Sequence, residues 1–351
     1  MAELIWAGKQ RIDPASIATS QPYNFETTSH YPATTPSPAI EQPIWSNRLL
    51  WGDKAQVLPL LLPEFSGAVN LIYIDPPFMT GRIFYHSDGV QLAYRDTWQA
   101  KLDGYLQWLY ETLILLHALL APDGSLYLHL DWRVAQYARA MLDEIFMSGS
   151  DDDGPGFKNE IIWHYQSGGR AKNYYARKHD TIFLYTKSAH YCFHPERVGE
   201  KRGTQRRNHM RREIDADGRI AWTIRSAGRI YSYNEDSLIT PSDVWSDIHH
   251  LHQKDPERSG YATQKPETLL ERIILVSSEE NDLVLDCFCG SGVTPVVAER
   301  LGRRWLAADQ SELAITTTMN RLLALEQYQS FIVQKPVLCT LPALHPDAST
   351  H

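Results

Sequence analysis

Cysteine is scarce in this chain. Its 351 residues hold Cys192, Cys287, Cys289 and Cys339, and no two form a Cys-x-x-Cys pair. That excludes a disulfide framework and points to a reducing, cytoplasmic setting. Long apolar runs are missing too. The densest patch, Leu113 to Leu120, is too short and too interrupted to span a bilayer. The first residues, Met1 to Lys9, lack the apolar stretch of a signal peptide. A soluble protein with no membrane partner is expected. An excess of positive charge is absent as well. The formal net charge is -8, so any nucleic-acid surface has to be a local basic patch. His249, His250 and His252 sit close together, but no acid or cysteine is spaced to complete a metal site, and no metal is expected.

What is present reads as an α/β protein. Residues 10 to 44 are rich in Ser, Thr, Pro and Ala, so residues 1–46 are read as a flexible N-terminal arm. Short apolar strands then alternate with helical periodicity. Strands are expected at 49–51, 69–75 and 125–130, and helices at 55–63, 99–120 and 133–147. The polar stretch Met79 to Asp96 is a long connection of the kind that forms lids and binding loops. Strands follow at 160–164 and 181–186. Between them, residues 168–178 are basic and aromatic together, with Arg170 and Lys172 as candidate DNA contacts.

From Arg197 to Arg229 there are ten Lys or Arg against four Asp or Glu, with no clean period. A solvated face is the plain reading. Beside a base-modifying site it reads as a phosphate-contacting segment, with Arg206, Arg207, Arg211 and Arg212 as contacts. Order returns at Thr263, and Pro266 is placed at the first position of a helix. The tail from Lys335 is expected to fray.

Two stretches carry chemistry. Leu71-Ile-Tyr-Ile runs straight into Asp75, Pro76, Pro77 and Phe78. Proline cannot donate to a sheet ladder, so a buried strand must stop there. An acid and an aromatic are left at the carboxyl end of a central strand, where open α/β sheets bind ligands. The Asp75 carboxylate and the Pro76 carbonyl can accept hydrogen bonds from an exocyclic amine, and Phe78 offers a face for stacking. A Pro-rich turn with Asp75 as a local cap is the plain alternative.

The second stretch is Asp286-Cys-Phe288-Cys-Gly290-Ser291-Gly292-Val-Thr294, a strand, a glycine-rich turn and a helix. Asp309 ends the next strand, at the spacing of an acid that holds ribose hydroxyls. No lysine stands in the turn to hold phosphates, as a Walker A loop would require. A ribose-containing ligand without a polyphosphate fits, and S-adenosylmethionine qualifies.

In this order, Asp-Pro-Pro-Phe, a basic middle, Ala-Thr-Gln-Lys-Pro-Glu (262–267) and Asp-Cys-Phe-Cys-Gly-Ser-Gly (286–292) resemble a β-class amino-DNA methyltransferase. Ile-Asp-Pro-Pro-Phe-x-Thr-Gly is similar to type III modification subunits of restriction-modification systems. The resemblance implies a circularly permuted, Rossmann-like methyltransferase sheet with an inserted target-recognition region. Its catalytic half would span 47–189, target recognition 190–258, the S-adenosylmethionine half 259–334 and a tail 335–351. It implies catalysis by Asp75, Pro76, Pro77 and Phe78. It places the cofactor on Asp53, Gln264, Lys265, Pro266, Asp286, Phe288, Gly290, Ser291, Gly292, Thr294 and Asp309. Double-stranded DNA is the implied partner, and a homodimer is common in the family.

Asp before the prolines leans towards N6 of adenine, with N4 of cytosine as the alternative. C5 methylation of cytosine is rejected, because it needs a nucleophilic cysteine, typically after proline, and the chain has no Pro-Cys. A non-catalytic DNA-binding subunit would not need Asp75 and the glycine turn intact. Methylation of RNA or protein amides shares the chemistry but has no use for the basic segment.

Overall fold

The computed structural model describes residues 3–34, 45–97, 102–147, 154–165, 171–201, 209–214 and 218–339. The chain opens with α1 (Pro14–Thr19) and β1 (Tyr23–Tyr31), then β2 (Asn47–Trp51), α2 (Lys54–Phe65) and β3 (Val69–Ile74). A hairpin of β4 (Arg82–Tyr85) and β5 (Leu92–Asp96) precedes α3 (Leu102–Leu119), β6 (Leu120–Leu130) and α4 (Ala135–Ile145). Next come β7 (Gly156–His164) and β8 (His179–Thr186). Short strands follow: β9 (Glu200–Lys201), β10 (Arg211–Ile214), β11 (Ile220–Ser226), β12 (Arg229–Asn234), β13 (Leu238–Ile239) and β14 (Val244–Trp245). The last third holds α5 (Glu267–Ser277), β15 (Leu283–Asp286), α6 (Val293–Arg300), β16 (Arg304–Asp309), α7 (Glu312–Leu323) and β17 (Phe331–Leu338).

Ten strands form one sheet in the order β1-β17-β2-β16-β15-β3-β6-β8-β7-β14. The neighbours from β17 to β6 are parallel, and β8 runs antiparallel to β6. Alternate residues of β3 face opposite layers. Ile72 and Ile74 pack with α2, α3 and α4, through Val57, Leu61, Leu109, Leu113 and Leu142. Leu71 and Tyr73 pack with α5 and α6, through Leu270, Ile273 and Val297. Both faces are covered, which is why the parallel strands read as continuous apolar runs. The α/β, Rossmann-like fold is as expected, with the Asp-Pro-Pro-Phe strand preceding the glycine-turn strand in the chain.

The pairing of β15 with β3 joins the late and early parts of the chain at the sheet centre. Crevices at such a switch point hold ligands. Along this edge the parallel strands end in acids. Asp53 follows β2, Asp309 ends β16, Asp286 ends β15, Asp75 follows β3 and Asp131 follows β6.

Several expected boundaries differ. The arm proposed for residues 1–46 is only partly an arm. Tyr23 to Tyr31 pair antiparallel with β17 and extend the main sheet. Trp6 is buried, packs edge-on against Tyr110 at 5.3 Å and donates to Gln107 Oε1 at 3.2 Å. The strand was hidden because its few aromatics stand among Ser and Thr, which suit a half-exposed edge. The tail expected from Lys335 begins inside β17, and Pro336 packs over Gly52. Residues 340–351 lie outside the described residues.

β2, expected to open the segment 47–189, pairs instead with β16 and β17 from the last third of the chain. The buried Asn47 holds it there, accepting from Trp305 N at 2.9 Å and donating to Glu299 at 3.0 Å. The segment 190–258, expected as a separate inserted region, rejoins the main sheet before its end, because Val244 and Trp245 of β14 pair with β7. Its middle is a three-stranded antiparallel sheet, β10-β11-β12, with Arg211 and Arg212 exposed on β10. Arg206, Arg207 and Arg170 lie outside the described residues. Pro266 is the N-cap of α5, one residue before the expected place.

Candidate active site

A cavity of about 340 Å³ opens at the carboxyl edge of β2, β16, β15 and β3. It brings together Asp53, Asp75, Pro76, Pro77, Phe78, Gln264, Lys265, Asp286, Phe288, Gly290, Ser291, Thr294 and Asp309. Pro266 and Gly292 stand behind the wall, as the N-caps of α5 and α6. Lys172, Arg211 and Arg212 are exposed and do not line this cavity.

The strand end behaves as its prolines require. Tyr105 donates to the Pro77 carbonyl at 2.8 Å, which ties the turn to α3. One oxygen of Asp75 is ion-paired with Lys265, while the other, Oδ1, is buried with no hydrogen-bond partner. Lys265 also lies 5.3 Å from the centre of the Phe78 ring. Lys265, expected on the cofactor, therefore meets the end of β3 and the turn after it. Sequence order gives no sign of that contact between residues 75 and 265.

Phe78 stacks on His129 at 6.0 Å. That imidazole is fixed from both sides. Nδ1 meets the Tyr73 hydroxyl at 2.9 Å, and Nε2 meets Asp180 at 3.2 Å. Asp180 accepts from the Tyr165 hydroxyl at 2.9 Å. This chain of hydrogen bonds crosses β3, β6, β8 and the end of β7 beneath the ring, so a satisfied polar network backs Phe78.

The glycine turn is tied on both sides. Gly290 (φ +49°) and Gly292 (φ +77°) take left-handed conformations that glycine adopts at little cost. Asp286 accepts from Phe288 N at 2.9 Å and from the Thr294 hydroxyl at 2.5 Å. Asp309 accepts from Gly290 N at 3.0 Å and Ser311 N at 2.9 Å. Burial raises Asp286 to about 7 and Asp309 to about 6, against the hydrogen bonds that lower both.

Other expected residues have local duties too. Asp53 caps α2 through Ala55 N at 2.7 Å. The Gln264 amide is engaged by Ser259 N at 2.8 Å and the Glu257 carbonyl at 2.9 Å. That leaves it as a buttress of the wall.

Sequence reasoning missed several lining residues. The loop 79–96 is the β4–β5 hairpin, and it contributes Phe84, Tyr94 and Asp96. Asp96 accepts from Met79 N at 2.8 Å and Thr80 N at 2.7 Å, which folds the loop back on the Asp75 turn. Tyr94 bonds Thr263 at 3.2 Å and bridges the hairpin to the segment before α5. Lys54 is buried against Trp108 and donates to its carbonyl at 3.2 Å. Trp108 in turn packs on Phe288 at 5.4 Å. Elsewhere, Cys192, His194 and Glu279 come within ligand distance of one another, but Arg197 already pairs with Glu279.

A sequence model of the DNA methylase family matches residues 69–320, from the Asp75 strand to α7. The chain belongs to this family. It is an amino-DNA methyltransferase of the β class, and S-adenosylmethionine is the methyl donor of such enzymes. The chain is 29% identical over 324 residues to the type II methyltransferase M.EcaI of Enterobacter cloacae, covering 79% of this chain and 70% of that one. It is 29% identical over 267 residues to the DNA adenine methyltransferase YhdJ of Escherichia coli (strain K12), covering 75% and 79%. In fold, the PvuII DNA methyltransferase (cytosine-N4-specific) superposes with a TM-score of 0.53 at 17% identity, over 81% of this chain and 89% of that one. No described helix is long and apolar enough to cross a membrane.

Proposed function

We propose that this methylase transfers a methyl group from S-adenosylmethionine to the N6 amine of adenine in double-stranded DNA. The observation that carries the reading is Asp75. Asp75, with its Oδ1 unpartnered, lines one cavity with Phe78, the glycine turn and Asp309.

The cavity wall suits a cationic, ribose-containing donor. Asp53, Asp286 and Asp309 supply carboxylates on the glycine-turn side, and no phosphate-binding lysine stands in the turn. Asp309, at the end of β16, is set to accept from ribose hydroxyls. Gly290 and Ser291 allow backbone to approach the donor, and Phe288 packs beside it. S-adenosylmethionine supplies an electrophilic methyl group on a sulfonium.

The chain's own task is to make a poor nucleophile attack. The lone pair of an exocyclic amine is delocalised into its ring. Hydrogen bonds from the amine to Asp75 Oδ1 and the Pro76 carbonyl favour a pyramidal nitrogen and free that pair for in-line attack. Lys265 pairs with the other carboxylate oxygen, which leaves Oδ1 as the unpartnered acceptor. Phe78, backed by His129, presents a face to the extruded base. Positioning and electrostatics carry the acceleration, with no covalent enzyme intermediate.

Adenine is supported by Asp before the prolines and by the similarity to an enzyme named as a DNA adenine methyltransferase. Mixed-sequence DNA incubated with the protein and donor, then digested and analysed by mass spectrometry, tests this. N6-methyladenine is the expected product. N4-methylcytosine would move the reading to the alternative, and no modified base would overturn both.

The carboxyls of the turn add a pH dependence. With Asp286 raised to about 7 and Asp309 to about 6, the free protein holds protons there in mildly acid solution. A net positive donor favours the ionised forms, so binding releases protons. Affinity should therefore rise as pH goes from about 5 to about 7, by at most roughly tenfold per pH unit for each proton released. Above that range it should level off. For folding alone the sign is opposite. Raised carboxyl pKa values mean the native state binds more protons than the unfolded chain between about pH 4 and 7, so they reduce stability as pH rises through that range. Calorimetry of donor binding across these pH values checks the first point, and a flat profile would remove both groups from the donor site.

A further inference from the structure

A surface cluster beside the cavity has no role in the chemistry above. Trp132 follows β6 by two residues, and Arg177 precedes β8 by two. These strand ends are hydrogen-bonded neighbours, with Leu130 opposite Thr181. The Arg177 guanidinium lies 3.6 Å from the centre of the Trp132 ring and 4.8 Å from that of Tyr174. Arg133 lies 4.8 Å from the same indole. Arg133 is neutralised by Asp131, whereas Arg177 has no carboxylate partner among the described residues. Trp132 is 41% exposed, Tyr174 62% and Tyr175 97%. Two of these aromatics are thus stacked through a cation, in water, on a protein of net charge -8.

The cluster is joined through the chain to the residues that back Phe78. His129, three residues before Trp132 on β6, is the ring on which Phe78 stacks. Asp180, three residues after Arg177, holds that same imidazole. The loops after β6 and before β8 therefore extend from the two strand ends that fix this imidazole.

We infer that Trp132, Arg177 and Tyr174 form a stacking platform for a nucleobase left unstacked in the target duplex when the adenine is extruded. The inference rests on the DNA reading above and adds a second stacking point outside the pocket. Every base has a π-face, so such a platform is sequence-tolerant. A guanidinium already lying against aromatic rings has its plane fixed and its N–H edge free for a phosphate. That combination matches a DNA strand whose base and backbone both need a partner. Lys172, exposed on the same loop, adds a second positive charge to it.

The test uses the full chain and short labelled duplexes with randomised flanks. One set carries a central adenine paired with thymine, and the other has the adenine mismatched. Extrusion is cheaper from the mismatch, so wild type should prefer the mismatched set. Trp132→Ala and Tyr174→Ala should each weaken binding to it by roughly fivefold to a hundredfold, the loss seen when one base–aromatic stack is removed. Trp132→Phe should restore most of the affinity. Arg177→Gln should flatten the salt dependence by about one released counterion. Donor affinity, read by calorimetry, should not move in any variant. Because these groups are exposed, truncation leaves the core intact, and a melting curve confirms it. Unchanged DNA affinity in both alanine variants would return the cluster to a solvated face. Affinity is read without turnover, so a wild-type chain that binds DNA but transfers no methyl group counts against the amine-transfer reading alone.

Discussion

Asp75→Ala is expected to lower the rate of methyl transfer by roughly a thousandfold or more, about 4 kcal/mol of lost barrier lowering. Donor affinity should stay close to wild type. The two effects separate because Asp75 and the glycine turn sit on different strands of the same cavity. The turn is held by its own bonds, from Gly290 N to Asp309 and from Thr294 to Asp286. The substitution does orphan Lys265, which is mostly buried with Asp75 as its ion-pair partner. Removing one member of such a pair destabilises the fold, so a melting curve must accompany the kinetics. Asp75→Asn keeps an oxygen that can accept from either the amine or Lys265, but not the charge. It should be less destabilised than the alanine variant, because Lys265 keeps a hydrogen-bond acceptor, and lie between that variant and wild type in rate. Phe78→Ala should weaken retention of the base by roughly 1–3 kcal/mol, while tyrosine or tryptophan there keeps a flat face. Single-turnover assays with calorimetry of donor binding decide the matter. Undiminished methylation by Asp75→Ala would sink the mechanism.

The parts legible in the sequence were those fixed by local physics. Two prolines after four apolar residues must end a strand, and Asp75 must then stand at its tip. Two glycines between a strand and a helix must make a tight turn. These constraints act within a few residues, so the chain order displays them. What was not legible depended on pairing at long range. Tyr23 to Tyr31 look like a polar arm until β17 supplies a partner 305 residues away, as the Thr28 hydroxyl does in bonding the Val333 carbonyl. Lys265 follows a cofactor-side pattern, yet its ammonium reaches Asp75, 190 residues earlier. The hairpin of β4 and β5 was hidden because its short strands are exposed on most positions and carry no apolar period. The basic and aromatic run of 168–178 was visible, but Trp132, its partner across the sheet end, was not. Only the adjacency of β6 and β8 joins them.

Gly292→Ala is the substitution expected to cost the fold most, and the structure separates its two causes. Gly292 has φ +77°, where an L side chain costs roughly 1–2 kcal/mol. An added Cβ would also lie 2.5 Å from Thr318 Oγ1, 2.7 Å from its Cγ2 and 2.8 Å from its Cα. The last contact is with the backbone of α7 and cannot be relieved by a rotamer. Together these predict a loss of roughly 2–5 kcal/mol and a fall in melting temperature of roughly 3–7 °C. Donor affinity should fall with it, since shifting Gly292 drags Ser291 and Gly290, and Gly290 N is the donor that orients Asp309. Thr318→Ala in the same chain removes Oγ1 and Cγ2 but leaves Cα and the backbone strain, so it should recover only part of the loss. The threonine also gives up a 3.3 Å bond to the Gly290 carbonyl, which further limits the rescue. Gly104→Ala is the control. It lies in α3 with open space around its Cβ position, and it should be neutral or stabilising by up to about 1 kcal/mol. Thermal melts of the four proteins, with donor titrations, test the account. If Gly292→Ala melts like Gly104→Ala, α6 and α7 are not packed against the turn as described. If Thr318→Ala restores full stability, side-chain crowding alone explains the loss.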